Sequence, residues 1–128
     1  MTATDEFNTM IEKSRRFLIN AERNLEEGFI DIGAFSANQS LEIYLKAILL
    51  KESGDYPHTH DIKNLLRNLL ALSDEYVRKK IELILKEKSL VLSLIQDAYL
   101  TSRYFSTSYS SDDLKEMISV TKYIKEEI

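Results

Sequence analysis

Apolar residues recur at helical spacing along nearly the whole chain. Between Asp5 and Glu27, Met10, Ile11, Ser14, Phe17, Leu18, Ala21 and Leu25 fall on one face of a 3.6-residue repeat. Gly28 follows and suits a left-handed helix terminus. The connection after it is short, so the next helix must return antiparallel. That second stretch, Asp31 to Glu52, carries Ala34, Ala37, Leu41, Tyr44, Leu45, Ile48 and Leu49 on its apolar stripe. Small residues at 33, 34, 36 and 37 allow a close approach between helices, with Gly33, in the first turn, a close-packing candidate. Gly54 and Pro57 end the segment.

A loop from Asp55 to His60 holds both histidines. A short third helix is expected over Asp61 to Ala71, with Ile62, Leu65, Leu66 and Leu69 inward and Thr59 or Asp61 as its cap. Ser73 and Asp74 can cap the stretch that follows, which runs to Tyr104. It is too long for one ordinary helix, and a break is expected between Lys86 and Ser89. The run Leu90 to Ile95 has the continuity of a buried strand. Helix is the better reading, because Val91, Leu94, Ile95 and Ala98 continue a helical face and no second strand exists to pair with it. Its apolar character on nearly every side predicts burial within the bundle and against a second subunit. Phe105 to Ser111 reads as a loop, and Ser110-Ser111-Asp112-Asp113 has capping-box form. The last helix turns Leu114, Met117, Ile118, Thr121 and Ile124 inward. The fold class predicted is all-α: one domain over residues 1–128, an up-and-down antiparallel bundle of four long helices plus a short one.

Composition narrows the alternatives. Among 128 residues there are three Gly, one Pro and no Cys. So few turn residues weigh against sandwiches, barrels and phosphate-loop folds. The lack of Cys removes disulfides, thiolate metal sites and cysteine nucleophiles. Seventeen basic and 21 acidic residues leave a net charge of −4. A nonspecific nucleic-acid binder usually carries a basic surplus, so nucleic acid is not the expected partner. The first residues are polar and acidic, unlike a signal peptide. No apolar run approaches the roughly 20 residues of a membrane span. A cytoplasmic protein without membrane contact is the expectation.

Three groups of residues bear chemistry. Gln39, Glu42 and Lys46 lie at i, i+3 and i+7 on the second helix. Glu42 precedes Lys46 by four residues, the favourable order for a helical ion pair, and spacing alone reads it as a solvated pair beside the apolar stripe. His58 and His60 flank Thr59 and supply two potential metal ligands, but carboxylates would have to complete the set. The plainer reading makes His60 a helix-start residue that packs or hydrogen-bonds at the bundle edge. Asp97, Tyr99, Arg103 and Tyr104 cluster at the end of the long fourth segment. Arg offers a planar fork suited to phosphate, and Tyr can stack on a base. The competing reading is an Arg–Asp ion pair with tyrosines at a core boundary. No Gly-rich phosphate loop, H-E-x-x-H or G-x-S-x-G occurs.

Taken together, these stretches resemble the HEPN domain. The residues that carry the resemblance are Ala37-Asn38-Gln39-Ser40-Leu41-Glu42-Ile43-Tyr44-Leu45-Lys46-Ala47, then Pro57-His58-Thr59-His60-Asp61-Ile62-Lys63-Asn64-Leu65-Leu66. Asp97-Ala98-Tyr99-Leu100-Thr101-Ser102-Arg103-Tyr104 is similar to the family's Tyr-x3-Arg-Tyr segment, with Phe105 where Pro often follows. The likeness covers about residues 10 to 126. It implies a helical bundle that often forms a homodimer, and a nucleotide-binding role beside a minimal nucleotidyltransferase partner. Some members are ribonucleases of toxin–antitoxin pairs, marked by Arg, four to six residues, then His. Counted from Arg103, those positions hold Ser108, Tyr109 and Ser110, and no His follows His60.

The resulting expectation is a noncatalytic nucleotide- or partner-binding module, with ATP or another nucleotide as ligand. Lys46, His60 and Arg103 would contact phosphate, Tyr104 would flank the base or ribose, and Gln39 and Glu42 would orient that side of the second helix. Neither a metal nor a catalytic residue is assigned. Two alternatives stand beside it. One is a purely structural dimeric interaction protein. The other is a ribonuclease toxin with an atypical site, using Tyr109 in place of the missing His.

Overall fold

The computed structural model describes residues 2–104 and 109–128, the side chains of 102–104 excepted. Within them the chain forms six helices: α1 (Ala3–Glu27), α2 (Ile30–Ser53), α3 (Ile62–Leu72), α4 (Glu75–Glu87), α5 (Ser89–Tyr104) and α6 (Ser111–Glu127). No strand occurs among the described residues, and the Leu90–Ile95 run is helical. The expected break in the fourth segment falls at Lys88, between α4 and α5. It divides that segment into a short and a longer helix, so four long helices are joined by two short ones. No helix among the described residues is long and apolar enough to cross a membrane.

Local chemistry sets the ends. Thr2 and Ser110 close capping boxes with Asp5 and Asp113. Asp61 caps α3 and Asp74 caps α4, each accepting from the backbone N–H three residues on. Gly28 and Gly54 terminate α1 and α2 at φ 80° and 84°, where a side chain would be strained. The loop reading for 105–108 lies outside the described residues.

Cross-helix contacts give the directions. Ser14 meets Ser40 and Asn20 meets Ser36, so α2 returns antiparallel to α1. Asn38 meets Ile95 and Phe35 meets Tyr99, so α5 is antiparallel to α2. Gly33 lies against Leu114 and Tyr44 bonds to Lys125, so α6 runs parallel to α2. The four long helices therefore alternate in direction, and α3 with α4 fills the crossover between α2 and α5.

Helix α2 occupies the centre and packs against α1, α3, α5 and α6. It is buried nearly all round. Besides the predicted stripe, Ser36, Asn38, Ser40 and Glu42 are also enclosed. The α1–α2 seam is built from small residues. Ser14 Oγ donates to the Ser40 carbonyl at 2.7 Å, and Ser40 Oγ donates back to the Ser14 carbonyl at 2.8 Å. Such reciprocal bonds satisfy buried hydroxyls while drawing the backbones close. In α1 only Ser14 and Ala21 are fully buried, so its larger apolar residues ride the edge of the seam. The Leu90–Ile95 run is less two-sided than its composition suggests. Leu92 and Ile95 are in the core, Val91 and Leu94 pack against it, and Leu90 alone stands well out, at 77% exposure.

Gly33 is the pinch point. A Cβ added there would lie 2.5 Å from Leu114 Cδ2 and 3.3 Å from Asn24 Cβ. Gly33→Val should therefore destabilise the bundle by about 1–3 kcal/mol through overpacking, measured by urea unfolding. Gly33→Ala should cost less in a Leu114→Ala background than alone, because the closest obstacle is gone. An additive double mutant would show that Leu114 does not set the limit.

Candidate functional site

The side chains that carry chemistry converge where the loop before α3 meets α2 and α5. Glu42 faces inward from the middle of α2, and its side chain is only 5% exposed. Lys46, one turn on, donates from Nζ to Glu42 Oε2 at 3.2 Å and is 12% exposed. The reading of this pair as solvated is overturned. Helix α2 is central, so a stripe that would face water on a peripheral helix faces other helices here. Removing a carboxylate from water costs several kcal/mol, and hydrogen bonds to its oxygens must offset that cost. His60 supplies them. Its Nδ1 lies 3.1 Å from Oε1 and 3.0 Å from Oε2 of Glu42. An ionised carboxylate only accepts, so Nδ1 carries the proton and donates, and Nε2 is left as the group His60 can offer to a ligand.

The ring of His60 is fixed a second time. It stacks on Tyr99 of α5 with centroids 3.9 Å apart and planes 17° from parallel. Tyr99 is in turn 6.4 Å from Phe35 of α2. The three rings adjoin in series, Phe35 tilted 35° to Tyr99 and half-exposed His60 stacked on the far side of it. His60 directly precedes Asp61, the α3 cap, and the Asp61 N–H donates to Thr59 Oγ1. The reading of His60 as a hydrogen-bonding residue at the start of a helix matches this geometry.

Helix α5 is held in register by a buried amide chain. Gln39 Nε2 donates to Asn38 Oδ1 at 2.9 Å, and Asn38 Nδ2 donates to the Ile95 carbonyl at 2.8 Å. This pins α5 one turn before Tyr99. Gln39 thus orients α5 through Asn38 and is not hydrogen-bonded to Glu42, Lys46 or His60.

A cleft of about 390 Å³ opens beside His60 and Tyr99. Thr59, His60 and Asp61 form one wall, and Gln96, Asp97, Tyr99, Leu100 and Thr101 of α5 form the other. Its volume falls in the range of small-molecule sites. Another depression, of about 190 Å³ between α4 and α6, is lined mainly by Leu83, Ile84, Val120 and Tyr123 and gathers fewer polar groups. Arg103 follows Tyr99 by four residues along α5, but the side chains of Arg103 and Tyr104 lie outside the described residues. Tyr109 turns its hydroxyl to Thr101 Oγ1 at 2.9 Å and the Leu94 carbonyl at 3.4 Å. The two histidines part company: His58 sets its ring edge-on to Tyr56, away from the Glu42 cluster. Among the described residues no three His, Asp or Glu side chains gather as metal ligands.

Of the expected site residues, then, Glu42, Lys46 and His60 meet directly, while Gln39 acts at one remove. Asn38, Thr59 and Gln96 belong to the site without having been singled out. A signal for Gln96 was available, since Gln96, Tyr99 and Arg103 repeat the i, i+3, i+7 spacing of Gln39, Glu42 and Lys46.

The buried pair makes a quantitative demand. Lys46→Met should cost about 3 kcal/mol in urea unfolding, because it strips charge balance from a buried carboxylate. Adding Glu42→Gln to that variant should recover part of the loss. Equal losses in the single and double variants would mean that the pair is not electrostatically coupled.

No curated protein matches the chain. The model of the HEPN domain matches residues 7–128, a span that takes in α1 from its second turn, the whole of α2 to α6 and every residue of the Glu42–His60–Tyr99 cluster, and the chain therefore belongs to the HEPN domain family.

Proposed function

We propose that the protein is a nucleotide-binding HEPN module that binds without catalysing a reaction. One observation carries this reading: a half-exposed histidine ring, held by a buried carboxylate and stacked on a tyrosine, lies beside a ligand-sized cleft. A planar base would extend that stack on the other face of His60. Base–aromatic stacking is worth roughly 1–3 kcal/mol per base. The Nε2 of His60, an acceptor when Nδ1 donates to Glu42, would accept a hydrogen bond from a ribose hydroxyl. Arg103, one turn beyond Tyr99, would supply the bidentate phosphate contact. In this arrangement Lys46 acts indirectly. Its ammonium balances Glu42, which lets Glu42 hold His60 without leaving a net buried charge.

The noncatalytic part rests on the sequence. A ribonuclease of the Arg-x4-6-His kind needs a second proton-transfer group after Arg103, and positions 108–110 hold Ser, Tyr and Ser. A partner nucleotidyltransferase would provide group-transfer chemistry that this chain lacks.

Isothermal titration with AMP, ATP, GTP and CTP, with and without magnesium, tests the reading. Saturable binding is expected in the micromolar to millimolar range, and His60→Ala should weaken it by about 5- to 150-fold while leaving the helical signal unchanged. Tyr99→Ala, which removes the backing of that ring, should weaken it less. The absence of heat at millimolar nucleotide would remove the proposal.

A further inference from the structure

We infer that Gln96 is the base-selecting residue of the cleft, favouring a nucleobase that bears an exocyclic amino group. The inference rests on the nucleotide reading above and adds a substrate class to it. Among the described buried side-chain nitrogen and oxygen atoms, Gln96 Oε1 alone has no hydrogen-bond partner. A buried carbonyl left unpaired is costly, and native proteins rarely retain one without a use. Gln96 lies on the cleft wall, three residues before Tyr99 and therefore on the same face of α5.

Nearby donors are already committed. The Asn38 amide donates to the Ile95 carbonyl, and the Gln39 amide donates to Asn38. Lys63, reaching from α3, donates to Ser89 and Ser93. No described side chain is hydrogen-bonded to Gln96 Oε1, which leaves that oxygen open to a partner from outside the chain. Oε1 is enclosed in the free protein, and turning the amide about its broad terminal torsion as a ligand enters would bring it to the cleft.

Charge decides what that partner is. The walls beside Gln96 carry the carboxylates of Asp61 and Asp97. Asp61 Oδ1 accepts from the Asn64 N–H as the α3 cap, and the rest of that carboxylate remains an acceptor. A site rich in acceptors repels phosphate and welcomes N–H donors. The base edge therefore sits at the Gln96 end, and the phosphates lie toward the C-terminal end of α5, where Arg103 is. Adenine offers a 6-amino donor to Oε1. A purine without that amino group offers hydrogen on carbon and leaves Oε1 unpaired.

Two probes differing in this one group give the test: AMP and purine riboside 5′-monophosphate, which lacks the 6-amino group. The wild type is expected to bind AMP about tenfold more tightly. Gln96→Leu should erase that preference and, in the free protein, raise the melting midpoint by roughly 4 °C, since it removes an unsatisfied buried oxygen. Gln96→Glu, which keeps an acceptor, should retain the preference. Equal affinity of the wild type for both probes would overturn the assignment while leaving the nucleotide reading in place. So would a Gln96→Leu variant that melts lower and still prefers AMP. A wild type that binds neither probe would remove the nucleotide reading and this selectivity with it.

Discussion

A carboxylate held almost entirely away from water organises this molecule. Glu42 sits in the middle of the most buried helix, and its charge has to be met from the few groups that can reach it. Lys46 meets it from the same helix and His60 from the loop before α3. The first contact is local and costs little chain entropy to form. The second closes a loop of 18 residues, so it fixes where the chain re-enters the bundle after α2. Once His60 is tied down, Asp61 is positioned as the α3 cap and Tyr99 is covered by the ring. One electrostatic constraint thus sets a helix start, an aromatic stack and one wall of the cleft.

That constraint works only because α2 is central, and α2 is central because of its small residues. The serine exchange between Ser14 and Ser40, together with the bare Cα of Gly33, lets α1 and α6 close on the helix. With larger residues there, α2 would move outward and Glu42 would meet water. The pair with Lys46 would then be a surface pair worth a few tenths of a kcal/mol. Packing on one side of α2 therefore sets the strength of the electrostatics on the other. The buried chain from Gln39 through Asn38 to the Ile95 carbonyl carries the same dependence into α5.

Much of the fold was legible in the sequence because its signals are local. Glycines at 28 and 54, aspartates at 61 and 74, and the Ser110–Asp113 box each act within a turn of their own position, and each ends or starts a helix as expected. The candidate site was legible only in part. Spacing shows Glu42 and Lys46 on one face of a helix but does not show whether that face meets water. The environment depends on α3 and α5, which lie far along the chain. The meeting of His60 with Glu42 is equally nonlocal: the family likeness places both residues in one candidate site, and the fold alone joins them by a hydrogen bond. Asn38 carries no spacing signal of its own, and the spacing that sets Gln96 with Tyr99 and Arg103 gives only a shared helix face. Their importance comes from which hydrogen bonds are made and which is missing, and sequence spacing holds no information on that.

The distribution of donors and acceptors around the cleft bears on how the site would use a ligand. Donors on the α2 and α3 side are spent inside the protein: Lys46 on Glu42, Asn38 on Ile95, and Lys63 on two serines. On the open side the structure offers the carboxylates of Asp61 and Asp97 and the exposed edge of His60, with Gln96 on the same wall. A site of this kind discriminates by hydrogen-bond polarity more than by net attraction. A ligand presenting N–H groups gains bonds, and one presenting carbonyls in the same place leaves acceptors facing acceptors. In the proposed nucleotide reading, the aromatic rings would contribute affinity that varies little from base to base. Stacking and polarity would then divide the work, with the rings retaining a planar ligand and the acceptor wall choosing among them.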